Sequence, residues 1–231
     1  MTNYSTTRYV DESAIATLFK STYMQMAAAL TVTGLVAYFL ASSSAYLEML
    51  ATSPSILWIA LFAELGVVIW LSARVMSMSM PMATLLFILY SVLNGVTLST
   101  IFLIYTAGSI ATTFFVTAGM FFVMSLVGYV TRMNLSKLGS VLMMLLVGLI
   151  IATVVNIFLG SEMLYWVISY AGVVIFVGLT AYDTQKLKHL YSEYGAVDDM
   201  GHKLALFGAL TLYLDFVNLF LMLLRLLGDR R

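Results

Sequence analysis

The sequence predicts an all-α membrane protein with seven transmembrane helices. Of its 231 residues, 62% are hydrophobic and only 10% are charged, whereas a typical soluble domain is about 25% charged. The polar residues are therefore too few to cover the surface that a water-soluble domain of this length leaves exposed. Seven apolar stretches also approach the roughly 20 residues that a helix needs to cross a bilayer. These observations exclude a soluble enzyme, a disordered chain and a nucleic-acid-binding protein.

The predicted spans follow one another with short connections. They cover residues 22–41, 55–75, 82–104, 110–130, 138–159, 163–182 and 204–227. The one longer connection, between the sixth and seventh spans, covers residues 183–203. The connections therefore leave no room for an extramembrane domain. We therefore predict a cytoplasmic amino-terminal tail over residues 1–20 and a single seven-helix transmembrane domain over residues 21–231.

Local features support individual elements in order. Residues 1–20 are polar and lack the apolar stretch of a cleavable signal peptide, so the first span should act as the insertion signal. Between the second and third spans, residues 76–82 read MSMSMPM. Thioether sulfurs could bind a soft metal such as Cu(I), but no Cys or His lies nearby, and we interpret the run as an apolar interfacial turn. Glycines and alanines in spans one, three, four and five are typical of close helix packing.

The basic residues predict the orientation, because cytoplasmic loops carry an excess of Lys and Arg. Those at one set of connections are Arg8, Lys20, Arg74, Arg132, Lys137, Lys186, Lys188 and Lys203. The opposite loops, residues 42–53, 105–109 and 160–162, contain none, so we predict a cytoplasmic amino terminus. A seventh crossing places Arg230 and Arg231 outside, against this bias. The alternative is a seventh helix that enters and leaves on the cytoplasmic side, but a 24-residue span favours full crossing.

Four ionisable residues lie in or at the ends of predicted spans, where charge is costly and normally has a partner and a role. Glu64 lies near the centre of the second span and Arg74 at its end, Asp183 follows the sixth span, and Asp215 lies well inside the seventh. Simpler interpretations exist for each. Arg74 could extend to the headgroups, Asp183 could be a hydrated helix-end carboxylate, and Glu64 and Asp215 could serve only as hydrogen-bond acceptors.

The seventh span has one polar and small-residue stripe on an otherwise apolar helix. Its members are spaced three or four residues apart, which places them on one helix face. They are Gly208, Thr211, Asp215, Asn218, Met222 and Arg225. We predict that this stripe faces the bundle interior and lines a hydrated path, with Asp183 able to approach Asp215. Thr211 and Asn218, with Asn94 and Asn156 of other spans, are candidate pore-lining residues or hydrogen-bonding links between helices.

The remaining residues exclude most kinds of membrane enzyme. Cysteine is absent, both histidines (His189 and His202) lie in the predicted loop 183–203, and the lysines lie at membrane edges. Thiol catalysis, a haem or zinc site in the spans and a buried retinal Schiff base are thereby disfavoured. An intramembrane aspartyl protease uses one Asp on each of two adjacent spans, but the LYL before Asp215 lacks that family's glycine and its Pro-Ala-Leu element is missing. We predict no enzymatic activity, with such a protease as a remote alternative.

Two segments resemble the carboxy-terminal signature of the Bax inhibitor-1 family. They are GLTAYDTQKLK at residues 178–188 and ALTLYLDFVNLFLMLLRLLG at residues 209–228. The resemblance is strongest to bacterial inner-membrane members, and it implies a central seventh helix wrapped by the other six. It also implies a pH-sensitive passive calcium leak governed by an aspartate pair, which corresponds to Asp183 and Asp215. Glu64 and Arg74 match a Glu and an Arg of that family's second span by helix position.

The chemistry of the two aspartates suits the calcium leak that the resemblance implies. Ca²⁺ is a hard cation that prefers carboxylate and carbonyl oxygen, so Asp183 and Asp215 are candidate transient Ca²⁺ ligands. Two close carboxylates cannot both ionise cheaply, and they are expected to titrate as a unit. An ionised Asp183 paired with Arg74 would latch the second span against the sixth, and protonation at mildly acid pH would release it.

The expected partners are the lipid bilayer and Ca²⁺ as the transported ion, with no resident cofactor and no nucleic acid. The family is also linked to a second role, which keeps an alternative open: a non-conducting regulator that binds membrane proteases or other membrane proteins. The expected location is the bacterial inner membrane.

Overall fold

The computed structural model describes residues 12–194 and 197–231. Its helices are α1 (Glu12–Ala41), α2 (Ser44–Thr52), α3 (Ser55–Arg74), α4 (Met80–Leu98), α5 (Ile101–Ile104), α6 (Ala107–Val130), α7 (Ser136–Leu159), α8 (Glu162–Tyr194) and α9 (Asp199–Leu227), with a 3₁₀ turn at Val75–Ser77. Within the described residues, seven segments are long and apolar enough to cross a membrane: α1, α3 with its 3₁₀ turn, α4 with α5, α6, α7, α8 and α9. The predicted all-α fold with seven transmembrane helices is confirmed.

Helix α9 lies at the centre of the bundle. In its most apolar window 72% of the residues are buried, against 11% in α7. Helices α1, α4, α6 and α8 pack directly on α9, while α3 packs chiefly on α4 and α7 on α8. The central seventh helix is therefore confirmed, with four spans as its immediate neighbours and two forming an outer layer.

The carboxy terminus shows that α9 crosses the whole bundle. Beyond its last turn, the backbone N–H of Thr106 donates to Asp229 O at 3.0 Å, and that of Arg231 donates to Ile104 O at 2.9 Å. These partners lie between α5 and α6, at the opposite end of the bundle from Asp199, where α9 begins. We call the end that holds Glu12, Arg74 and Asp199 the N-face, and the end that holds Ile104, Gly160 and Arg230 the C-face.

Two helices extend beyond their predicted spans into the connection 183–203. Helix α8 continues to Tyr194 because Leu187 and Tyr191 are 1% and 0% exposed, packed in the same core cluster as α9. Helix α9 begins at Asp199 because the Asp198 side chain accepts a hydrogen bond from the N–H of Gly201 at 2.9 Å, as a helix cap does. Most of the predicted loop is therefore helical.

The amino-terminal part of α1 lies within the predicted cytoplasmic tail. Helix α1 begins at Glu12, inside the predicted tail 1–20, and Leu18 and Phe19 are buried. Residues 1–11, including Arg8, lie outside the described residues. Part of the predicted tail therefore contributes to the packed bundle.

The third predicted span divides into α4 and α5 because hydroxyl groups compete with the helical hydrogen bonds. Ser99 Oγ donates to Val96 O at 2.7 Å, and Tyr46 OH lies 2.9 Å from Ser99 Oγ. Tyr46 belongs to α2, a short helix within the predicted loop 42–53. The break is thus held in place by the preceding connection.

Candidate cation site

Helices α8 and α9 bring the carboxyl groups of Asp183 and Asp215 together. Both side chains line the same cavity, close enough for the two carboxyls to interact electrostatically with each other. Asp183 lies about 16 Å of helix rise before Tyr194, and Asp215 about 24 Å after Asp199. The pair can meet because both helices continue well beyond the aspartates toward the N-face.

Asp215 is the more deeply buried member of the pair. Its side chain is 5% exposed, and its Oδ2 atom is buried without a hydrogen-bond partner among the described residues. A buried polar atom without a partner is costly, and in native proteins it usually marks a function or an unseen water or ion. Asp215 Oδ2 is therefore an oxygen available to a cation or a proton.

The pair opens onto a cavity of about 490 Å³ between α7, α8 and α9. We call this cavity the α7–α9 groove. On the α9 side it is lined by Thr211, Asp215, Asn218, Met222 and Arg225 of the predicted stripe, together with Leu214 and Leu221, whereas Gly208 of the stripe is not part of the lining. The α7 wall is formed largely by apolar side chains: Met143, Leu146, Leu149, Ile150 and Val154, with Thr153 as a polar exception. The groove exists because α7 packs on α8 and leaves α9 uncovered along this face.

Thr211 and Asn218 place further oxygen atoms along the groove. The Thr211 hydroxyl donates to Phe207 O at 3.0 Å, and the Asn218 amide nitrogen donates to Leu214 O at 2.8 Å. Thr211 thus uses its one donor within α9 and Asn218 one of its two, and both side-chain oxygens remain as acceptors. An acceptor-rich wall next to a carboxylate pair suits a cation.

Glu64 occupies a separate polar cluster on another side of α9. Asn94 Nδ2 donates to Glu64 Oε1, and Thr97 Oγ1 donates to Oε2 at 3.0 Å. Tyr213 OH in turn donates to Asn94 Oδ1 at 3.0 Å and lies 2.7 Å from Thr33 Oγ1. We call these residues the Glu64 network. It links α3, α4, α9 and α1, and places Glu64 and Asn94 away from the groove.

The structure does not form the predicted latch between Arg74 and Asp183. Arg74 is exposed at the end of α3 and makes no ion pair among the described residues. The cation acting on Asp183 is Lys186 of the same helix. The reason is the packing order, since α3 lies against α4 and not against α8.

Asn156 also lies away from the aspartates. Its side-chain oxygen accepts a hydrogen bond from the N–H of Ser161 at 3.0 Å, at the C-face turn between α7 and α8. This turn contains Gly160, whose φ of +60° favours glycine. Of the four predicted pore-lining residues, the structure brings Thr211 and Asn218 to the aspartate pair.

Sequence reasoning missed the buried tyrosines. Besides Tyr213, Tyr191 OH lies 2.7 Å from Thr22 Oγ1, which joins α8 to α1. The sequence feature that could have revealed them is a tyrosine close in the chain to a carboxylate of a predicted span. A tyrosine hydroxyl buried in an apolar interior needs a hydrogen-bond partner. The position of Tyr191 also explains why residue 208 of the stripe is a glycine, because an added Cβ there would lie 2.4 Å from Tyr191 OH.

Comparison with known proteins gives matches over nearly the whole chain. The family described as "Inhibitor of apoptosis-promoting Bax1" matches residues 15–231. The inner membrane protein YbhL of Escherichia coli strain K12 is 49% identical over 220 residues, which cover 95% of this chain and 94% of YbhL. The uncharacterized protein RP147 of Rickettsia prowazekii is 43% identical over 232 residues, covering 100% of this chain and 97% of RP147. An uncharacterized protein of Borreliella burgdorferi is 50% identical over 168 residues, which cover 73% of this chain and 72% of that protein.

Proposed function

Since the chain belongs to the Bax inhibitor-1 family, we propose that it is a passive, pH-sensitive calcium leak channel whose ion site is the pair Asp183 and Asp215. By analogy with the inner membrane protein YbhL, its location is the bacterial inner membrane. The N-face carries the basic connections and is cytoplasmic in this proposal. Ca²⁺ is the transported ion, and the activity is transport without catalysis.

One observation carries the proposal: a buried carboxylate oxygen without a partner, Asp215 Oδ2, lies beside a second carboxyl at the edge of an open groove. Two carboxylates with nearby hydroxyl and amide oxygens provide hard ligands for Ca²⁺. They do not form a closed cage, and conduction requires a site weak enough to release the ion. This donor set therefore favours transient binding.

The route on the N-face side of the pair is closed in this conformation. The groove extends along α9 from Thr211 toward Arg225 at the C-face end. Toward the N-face, Leu187 and Tyr191 of α8 are almost completely buried in the same cluster as Leu210 of α9. The proposed gate is the separation of α8 from α9 at this cluster.

The pH dependence follows from competition between Ca²⁺ and protons for the same oxygens. With both carboxylates ionised, the pair holds Ca²⁺ most tightly and releases it slowly. A shared proton weakens binding and speeds release, whereas protonation of both groups removes the charge that attracts Ca²⁺. Lys186 beside Asp183 and Arg225 at the far end of the groove are the fixed charges nearby. Flux should thus rise at mildly acid pH and fall again at lower pH.

Calcium flux into proteoliposomes that contain only this protein tests the proposal. We expect wild type to conduct and Asp215→Asn, which keeps the side-chain shape and removes the charge, to lose most of its flux and its pH dependence. Asp199→Asn is the matched control, because it makes the same change on the same helix at an exposed N-face position. Absence of wild-type flux at every pH would overturn the proposal, and a stoichiometric co-purifying membrane protein would then favour the regulator alternative.

A further inference from the structure

The α7–α9 groove has the size and polarity of a site for an organic ligand. Its volume of about 490 Å³ lies within the roughly 300–1,000 Å³ of small-molecule pockets. From Asp215 to Arg225 it extends about 15 Å along the axis of α9. A single calcium ion fills only a small part of this space.

Charge is distributed unequally along the groove. The carboxyls of Asp183 and Asp215, with Thr211, lie at one end, and Arg225 lies at the other. Arg225 is also held over the ring of Tyr165, with the guanidinium carbon 5.5 Å from the ring centroid. Between the ends, the polar lining side chains are Asn218 of α9 and Thr153 of α7, and the other α7 residues are apolar. A ligand that fits this pattern is cationic at one end and apolar along its length.

We propose that the groove binds an amphiphilic organic ammonium ion, with its head on Asp183 and Asp215 and its hydrocarbon tail along α7 toward Arg225. The head supplies N–H donors for Asp215 Oδ2, the buried oxygen that has no partner. Repulsion from Arg225 fixes the direction in which the ligand lies.

The head determines the specificity, because lipid tails are as apolar as the groove wall. An alcohol with the same tail would gain nothing at the aspartates that it does not gain elsewhere in the bilayer. The ammonium ion would also occupy the oxygens proposed for Ca²⁺. The inference rests on the proposed function in this one respect, that a bound ammonium ion blocks the leak.

Photolabelling in lipid nanodiscs tests the binding. The probe is decylammonium with a diazirine near the end of its tail, and the control probe is decanol with the same diazirine. We expect the ammonium probe to label α7 near Ile150 and Val154 about tenfold more than the alcohol, the size of a charge-assisted hydrogen bond. Asp215→Asn should abolish that difference, and its unfolding temperature in detergent, compared with that of wild type, reports whether the variant is folded.

A matched pair of variants tests the location. Val154 and its neighbour Val155 are both exposed, at 50% and 43%, but only Val154 lines the groove. Val154→Trp should reduce labelling of α7 by the ammonium probe, and Val155→Trp should leave it unchanged. Equal labelling by the two probes in wild type, or a preference for the ammonium probe that survives Asp215→Asn, would overturn the inference.

The flux assay separates this inference from the proposed function. Decylammonium that labels the groove but meets no calcium flux to block would refute the leak and leave the ligand site intact. Calcium flux through wild type without selective ammonium labelling would refute the ligand site alone.

Discussion

Asp215 differs from the other buried polar side chains of α9 in having an oxygen without a donor. Tyr213, two residues earlier, is fully buried yet bonded to both Asn94 and Thr33. The helix thus directs one satisfied polar group toward α4 and one unsatisfied carboxylate toward the groove. Thr113 Oγ1 and Ser125 Oγ of α6 are also buried without a partner, but Asp215 Oδ2 is the one carboxylate oxygen in that state among the described residues.

The exposed position of Arg74 leads to a prediction about calcium flux. Because its guanidinium is exposed and makes no ion pair with Asp183 among the described residues, we expect Arg74→Ala to keep wild-type calcium flux at pH 8 and at pH 6. Proteoliposome flux at the two pH values measures this. A variant that leaks more than wild type at pH 8 and equally at pH 6 would show that Arg74 does reach Asp183 in another conformation.

Close backbone contact, more than polar interaction, fixes how α6 and α8 meet beside the aspartates. A Cβ added at Gly128 would lie 2.1 Å from Ala181 O, two residues before Asp183, whereas one added at Gly119 would meet nothing within 4 Å. Small residues allow such approaches between membrane helices. The position of Asp183 therefore depends on a glycine of a neighbouring helix.

Alanine at these two glycine positions should affect stability differently. Gly128→Ala should destabilise the protein by about 1–3 kcal/mol, since the backbone of α8 would have to move. Gly119→Ala should be neutral or stabilising by up to about 1 kcal/mol, because the helix accepts alanine there. Thermal unfolding in a single detergent compares them. Equal stability of the two variants would show that α6 and α8 are not in close contact.

The elements also show what the sequence could and could not predict. Apolar length predicted the seven spans, and the spacing of Thr211, Asp215 and Asn218 predicted the face that lines the groove, since both depend on residues close in the chain. The extension of α8 to Tyr194 was not predicted, because apolar length reports membrane thickness and not helix length. The Glu64 network was not predicted either, since it depends on which helices become neighbours.

The central helix α9 has two different polar environments on two of its sides in the bundle. The Glu64 network lies toward α3 and α4, and the groove lies toward α7. The outer helices α3 and α7 each pack chiefly on one other span. Movement of α7 could therefore change the groove without disturbing the Glu64 network.

The orientation of the molecule is a separate prediction. The chain contains no cysteine, so single-cysteine variants report only their own position. Ser53 and Asn134 are both exposed, in the connections after α2 at the C-face and after α6 at the N-face. With the N-face cytoplasmic, a membrane-impermeant maleimide should label Ser53→Cys in spheroplasts and label Asn134→Cys only after lysis. The reverse pattern would invert the proposed orientation.

Anomalous diffraction would show whether Asp183 and Asp215 hold a divalent cation in the α7–α9 groove, as we claim. Crystals soaked in Mn²⁺, a divalent ion with the same preference for oxygen ligands, would show the cation itself. We predict one anomalous peak within direct coordination distance of Asp215 Oδ2 and near Asp183, absent from Asp215→Asn and retained in Asp199→Asn. A fully loaded crystal with no peak at the pair, or with its only peak at Glu64, would contradict the claim.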